Sequence, residues 1–250
     1  MASTDLRIFI GFDPREMVAS AVADYSVKRH ASAYPDTSRL ALSPLTLSQI
    51  YRRPMHLMPD GITLWDEYSD APMSTEHAIA RFFVPYLCGY QGWALFVDGD
   101  VLFRNDIFDL WDYANPNHAV VVVQHPPMFS TGTKKAGQIQ TAYPRKNWSS
   151  VMLWNCAHPA HTALTLEVLN TWPGRDLHAF RWLRDDQIGA LPPEWNHLVN
   201  ISPPSDTVTI AHFTLGTPNL TGHAQDPYAD EWFRVAKAAG YRFDPPQVSA

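Results

Sequence analysis

The chain is poor in cysteine, in cationic charge and in long apolar runs, and each shortage removes a class of protein. Two cysteines in 250 residues, Cys88 and Cys156, cannot build a disulfide framework and lack the spacing of a zinc site. They read as two reduced, buried thiols of a cytosolic protein. Lysine and arginine number 19 against 25 aspartates and glutamates, giving a formal net charge of −6. Such a chain has no basic footprint for nucleic acid or for an acidic membrane, so nucleic acid is excluded as a partner. Any phosphate must be met by a few local cations, backbone amides or a metal. The longest apolar runs, such as 119–123, fall far short of the ~20 residues of a membrane helix. The opening Met-Ala-Ser-Thr-Asp carries neither a charged nor a long apolar stretch. We therefore expect no integral membrane segment, no secretion signal and a cytoplasmic location.

What is present is apolar and aromatic. Hydrophobic residues make up 46% of the chain, with nine tryptophans, enough for one large domain over 1–250 with a substantial core. Residues 6–12 read as a buried strand ending at Gly11, Phe12, Asp13 and Pro14, and 16–30 has helical spacing. A strand leading directly into a helix favours an α/β fold. A weaker strand follows at 40–47, then a Pro-rich irregular stretch over 51–72. Ser74 or Thr75 can cap a helix over 76–88. Strands are expected at 93–97, 119–124, 151–154 and 207–213, and helices at 106–113, 161–171 and 228–239. The stretch 124–146 has no period, and loops that long inside a domain often carry function.

Residues 93–97 run directly into Asp98-Gly99-Asp100. In an extended chain, side chains at i and i+2 point to one side. Two neighbouring carboxylates repel unless a cation or a shared proton lies between them. Gly99 removes the side chain between them and lets a ligand approach the backbone. At the carboxyl end of a strand in an open α/β sheet, this is the place where ligands bind. The pair reads as an oxygen-rich site for Mg²⁺ or Mn²⁺ bridging a diphosphate; the alternative is an ordinary strand-end turn.

Residues 74–108, STEHAIARFFVPYLCGYQGWALFVDGDVLFRNDIF, resemble glycosyltransferase family 8, the retaining GT-A enzymes. The matching positions are Arg81, Pro85, Leu87, Asp98 and Asp100. In the same order, WSSVMLWN (148–155) is similar to the family's Asn-Ser-Gly-Val-Met-Leu-Ile-Asn strand. DDQIGAL (185–191) is similar to its Asp-Gln-Asp block, and IAHFTLGTP (210–218) to its closing His-to-Gly segment. The resemblance reaches from the first strand to about Pro218, nearest to a bacterial and phage branch. It implies a nucleotide-diphospho-sugar transferase fold, with a mixed, mostly parallel central sheet flanked by helices. It also implies a UDP-sugar donor, Mn²⁺ or Mg²⁺, a glycan, lipid-linked or other acceptor, and retention at the anomeric carbon.

Carried over residue by residue, the resemblance makes Asp98, Asp100 and His212 the metal ligands. Gly11, Phe12 and Asp13 would shape the nucleobase pocket, with Gly99 and Gly216 also at the donor site. Arg81 would neutralise phosphate or position the acids. Asp186 and Gln187, with Asp185 as the adjacent alternative, would lie beside the anomeric carbon. Two departures stand out. Trp148, Ser149 and Ser150 replace the family's Asn-Ser-Gly, and Thr217, Pro218 and Asn219 replace the segment that holds its phosphate-binding Lys. Lys134, Lys135, Arg145 or Lys146 would have to supply that charge. Trp148, Trp154, Trp182, Trp195 and Trp232 are available for sugar contact, although most tryptophans in a domain belong to its core.

Three rivals follow from the same residues. A haloacid dehalogenase-like phosphatase also places Asp-x-Asp after a hydrophobic strand, but on its first strand and with Thr or Val where Leu102 stands here. A nucleotidyltransferase would have a Gly-rich basic loop in place of Asp13-Pro14-Arg15-Glu16. A non-catalytic sugar-nucleotide-binding protein of the same fold would bind without turnover.

Overall fold

The computed structural model describes residues 6–40, 50–61, 63–126, 145 and 147–243. Its frame is a six-stranded sheet. The strands are β1 (Arg7–Gly11), β2 (Asp36–Leu40), β6 (Trp93–Val97), β8 (Val120–Val123), β9 (Val151–Asn155) and β10 (Ile188–Leu191), in the order β10-β8-β9-β6-β1-β2. β9 alone runs antiparallel to both its neighbours; the remaining pairs are parallel.

Apart from the edge strand β2, which is polar and only partly buried, the sheet is buried on both faces, and its strands read as nearly continuous apolar runs for that reason. In β6, Ala94 and Phe96 enter one core with Phe82, Phe83 and Trp154, while Leu95 and Val97 enter the other with Ile8, Ile10 and Val121. The period of two along the strand assigns the residues to the two cores.

A second sheet orders β11 (His197–Leu198), β12 (Ile210–His212) and β7 (Val101–Phe103), with β12 antiparallel to β7. Helix α1 (Met17–His30) lies across β7 and against α6 (Ala229–Ala238). Ser26 Oγ accepts the Phe103 amide at 3.1 Å, which ties β7 to α1.

The stretch 51–72 is not irregular as expected. It holds most of an antiparallel sheet, β3 (Met55–Leu57), β4 (Leu64–Asp66) and β5 (Ala71–Met73). A fully buried Arg53–Asp66 ion pair anchors it. The same guanidinium donates to the carbonyls of Leu169 (3.1 Å) and Trp172 (2.8 Å), at the end of α4 (Leu166–Thr171).

The helix expected over 76–88 is broken into α2 (His77–Ala80), a 3-10 turn over Arg81–Phe83 and α3 (Val84–Leu87). Pro85 explains the break, because it has no amide hydrogen to continue the ladder. No side chain caps α2; its first flanking residue is Glu76. Residues 107–113 form a 3-10 helix capped by Asp106. The helix expected over 161–171 splits where Thr165 caps α4. Helix α5 (Gly174–His178) and strands β7, β10 and β11 were not foreseen. The second strand is Asp36–Leu40; most of the expected 40–47 lies outside the described residues, as does most of 124–146.

Candidate metal centre

Asp98 follows β6 directly, Asp100 directly precedes β7, and a turn at Gly99 joins them. The acids therefore converge through a turn, not through the continuous strand that the spacing suggested. Three backbone contacts hold the turn. The Asp98 amide donates to the Ser150 carbonyl at 2.8 Å, the Phe213 amide donates to the Asp100 carbonyl at 3.0 Å, and His212 pairs with Val101 in the β12–β7 ladder. The ladder carries His212 to the acids. Its Nε2 lies 3.2 Å from Asp100 Oδ1 and 3.9 Å from Asp98 Oδ2. One ligand atom from each of the three residues falls within 4.8 Å of the others.

The two oxygens of Asp98 have different surroundings. Oδ1 faces Arg81 Nη2 at 2.8 Å and His77 Nε2 at 3.3 Å, whereas Oδ2 faces His212. Burial alone would raise the Asp98 carboxyl, but Arg81, His77 and His212 outweigh it and hold it well below the usual range. Asp100 is likewise lowered: burial and Asp98 raise it, and His212 prevails. Both acids are therefore ionised at neutral pH. Two carboxylate oxygens and an imidazole nitrogen in one recess can hold a divalent cation.

Sequence reasoning missed four neighbours. His77 sits one turn before Arg81, and that i,i+4 spacing was legible in HAIAR. Glu16 has its carboxyl pushed up to about 7, by burial first and by the charge of Asp100 second. The Ser149 carbonyl accepts from Arg81 Nη1 at 2.6 Å and its hydroxyl lies 2.7 Å from His178 Nδ1, so Ser149, which matches the family's Ser, braces Arg81. Asn196 Oδ1 meets His212 Nδ1 at 2.9 Å. Nothing in the sequence marked Asn196, and Ser149 stood out only as part of the Trp148–Ser150 block.

The other expected site residues are distributed unevenly. Arg81 is buried on Asp98, Ser149 and the Phe96 ring, and so positions an acid. Asp13 is buried with both oxygens engaged, by the Arg15 amide and guanidinium and by the Glu76 amide at 3.1 Å. Burial raises its carboxyl and these bonds lower it below the usual range. Gly11 packs under the His77 ring, and Phe12 lies 5.3 Å from the Arg39 guanidinium. Gly216 has a φ of 141°, and a Cβ there would meet His223 Nε2 at 2.7 Å.

Asp185, Asp186 and Gln187 form a 3-10 turn before β10. Their side chains are not engaged with the Asp98–Asp100–His212 group. Asp185 is exposed and paired with Arg145, Asp186 is exposed and paired with Arg184, and Gln187 Oε1 accepts the Arg184 amide at 2.9 Å. Arg145 is committed to Asp185 and to the Ala179 carbonyl; Lys134, Lys135 and Lys146 lie outside the described residues. Trp154, Trp195 and Trp232 are core residues, leaving Trp148 and Trp182 half-buried. Both cysteines are free; Cys156 is buried and Cys88 only half-buried. No helix among the described residues is long and apolar enough to cross a membrane.

No family model matches the chain. It is 37% identical to Protein CDI of Arabidopsis thaliana over 231 residues, covering 90% of this chain and 84% of the relative. That relative is a plant protein, where bacterial or phage kinship was expected. Among solved structures, the apo WbbM bifunctional glycosyltransferase matches with a TM-score of 0.61 at 15% identity, over 94% of this chain and 50% of that one. The chain thus spans half the length of WbbM. The galactosyltransferase LgtC, in complex with donor and acceptor sugar analogs, matches with a TM-score of 0.57 at 15% identity, over 97% of this chain and 98% of that one. The apo glycosyltransferase GlyE of Streptococcus pneumoniae matches at 0.58 and 14% identity, over 94% and 60%. At such identities the likeness establishes the fold, an α/β architecture of GT-A type.

Proposed function

The chain belongs to the same family as Protein CDI of Arabidopsis thaliana, and from its GT-A fold and its Asp98, Asp100 and His212 group we propose that it is a metal-dependent glycosyltransferase using a nucleotide-sugar donor. The observation that carries this reading is the Asp98-Gly99-Asp100 turn facing His212 at the end of a central strand. In a chain of net charge −6, a donor diphosphate needs a cation to approach two ionised carboxylates.

Asp98 Oδ2, Asp100 Oδ1 and His212 Nε2 would hold the cation. The nitrogen ligand suits Mn²⁺ better than Mg²⁺. When bound, the cation stabilises the negative charge that builds on the departing phosphate as the anomeric C–O bond breaks. Arg81 and His77 fix one oxygen of Asp98 and keep the group ionised. Gly11, Phe12 and Asp13, at the end of β1, shape the nucleobase pocket, and Gly99 and Gly216 belong to the donor site, their side-chain faces taken up by the Gly11 carbonyl and the His223 ring.

In this reading the donor is a UDP-sugar and the enzyme a hexosyltransferase of one domain, working in the cytoplasm with retention on a glycan or lipid-linked acceptor. Asp186, Gln187 and Asp185 stand on the donor-sugar side, where Asp185 and Asp186 must exchange Arg145 and Arg184 for substrate. The phosphatase alternative loses its footing with the fold, because the Asp-x-Asp turn follows β6 and not the first strand.

Calorimetric titration with UDP, with and without Mn²⁺, tests the proposal, followed by a panel of nucleotide sugars assayed for hydrolysis. Metal-dependent UDP binding that Asp100→Ala abolishes is the expected result. Metal-independent hydrolysis of a phosphomonoester would sink it.

A further inference from the structure

Asn196 is fully buried at the end of the 3-10 turn Pro193–Asn196, immediately before β11. Two side-chain hydrogen bonds converge on it. Its Oδ1 lies 2.9 Å from His212 Nδ1, and its Nδ2 donates to the Asn147 carbonyl at 3.2 Å. The second bond determines the first. An amide nitrogen must face the Asn147 oxygen, so the amide oxygen faces His212. That oxygen carries no hydrogen, so Nδ1 of His212 must supply one.

A neutral imidazole protonated at Nδ1 presents a lone pair at Nε2. That lone pair points towards Asp100 Oδ1 at 3.2 Å and Asp98 Oδ2 at 3.9 Å. Three acceptors facing one another are unfavourable unless a cation, or a second ring proton, lies between them. The orientation set by Asn196 is thus the one in which His212 serves as a ligand through Nε2.

We propose that Asn196 is the positioning residue of the metal centre: it fixes the tautomer and ring plane of His212. It also joins that ligand to Asn147, on the connection between β8 and β9. The proposal rests on reading Asp98, Asp100 and His212 as a metal site. A cation on Nε2 polarises the imidazole and strengthens the Nδ1–H bond to Asn196. Metal occupancy is thereby coupled to the bond at Asn147.

The test combines calorimetric titration with Mn²⁺ alone and NMR of the His212 ring nitrogens in metal-free protein. It compares the wild type, Asn196→Leu and Asn196→Asp. We expect the wild-type proton on Nδ1 and a loss of about 10–100-fold in Mn²⁺ affinity for Asn196→Leu, the usual penalty for removing the partner of a metal-bound histidine. Asn196→Asp keeps an acceptor and should stay within about fivefold of the wild type. A wild-type ring protonated on Nε2 but not on Nδ1 would overturn the proposal without any variant, as would a folded Asn196→Leu that binds Mn²⁺ unchanged. Should Asn196→Leu not fold, a tenfold loss in Asn196→Asp would equally overturn it. A wild type that binds no Mn²⁺ at all would remove the metal reading and this proposal together.

Discussion

A Cβ on Gly99 would lie 2.4 Å from the carbonyl oxygen of Gly11, so the ends of β6 and β1 meet at a distance that only glycine allows. Backbone oxygen cannot swing aside as a flexible side chain can. Gly99→Ala should therefore cost about 1–3 kcal/mol of overpacking and splay the two acids. Urea unfolding reads the first effect, and Mn²⁺ titration should show a loss of at least about tenfold in affinity, the scale of 1.4 kcal/mol.

Glu16 gives the metal-free protein an unusual pH dependence. Its carboxyl is raised from 4.5 to about 7 by burial and by Asp100. Below pH 4.5 it is protonated in folded and unfolded chains alike. Between 4.5 and about 7 the unfolded chain gives up the proton and the folded chain keeps it, so stability falls as pH rises through this window. Glu16→Gln should flatten that part of the stability profile. At pH 6, Mn²⁺ binding by the wild type should release a proton that the variant does not, which calorimetry in buffers of different ionisation enthalpy measures.

Arg81 governs the opposite case. Asp98 is held below its ordinary range, so its contribution is present above that range and disappears as pH falls towards the depressed value. Arg81→Met leaves a largely buried carboxylate without its cation and should destabilise the protein by about 3–5 kcal/mol at pH 7. The deficit against the wild type should narrow below about pH 4, as Asp98 in the variant takes up a proton. Chemical denaturation at several pH values checks both parts.

Arg53 and Asp66 are fully buried and bond to Leu169, Trp172 and Ser69, not to the acids, so breaking that pair tests the fold alone. Asp66→Ala should destabilise by about 3–5 kcal/mol because it strands a buried guanidinium. Mn²⁺ affinity in the folded protein should be unchanged.

The central frame was legible because β1, β6, β8 and β9 are buried on both faces, and double burial writes itself as an apolar run. Strand β7 was hidden: Val101–Phe103 continues directly from the Asp98-Gly99-Asp100 turn, and only its pairing with β12 defines it. The antiparallel sheet over 55–73 was hidden too, since its short strands are half exposed and interrupted by Pro72. The Asp98, Asp100 and His212 group was found by resemblance, but the geometric reason given for the acids was incomplete. A turn and a ladder bring them together, where a continuous strand was expected. Asn196 and Ser149 act through tertiary contacts that no spacing encodes.

The β12–β7 ladder has one more consequence. Two of the ligands sit at the head of β7, and the third arrives only when a much later strand aligns beside it. No nascent or shortened chain lacking β12 can assemble the triad. A cation captured there clasps two remote stretches of polypeptide, so chelation should loosen the carboxyl-terminal region first and lower the melting temperature even with no donor in solution.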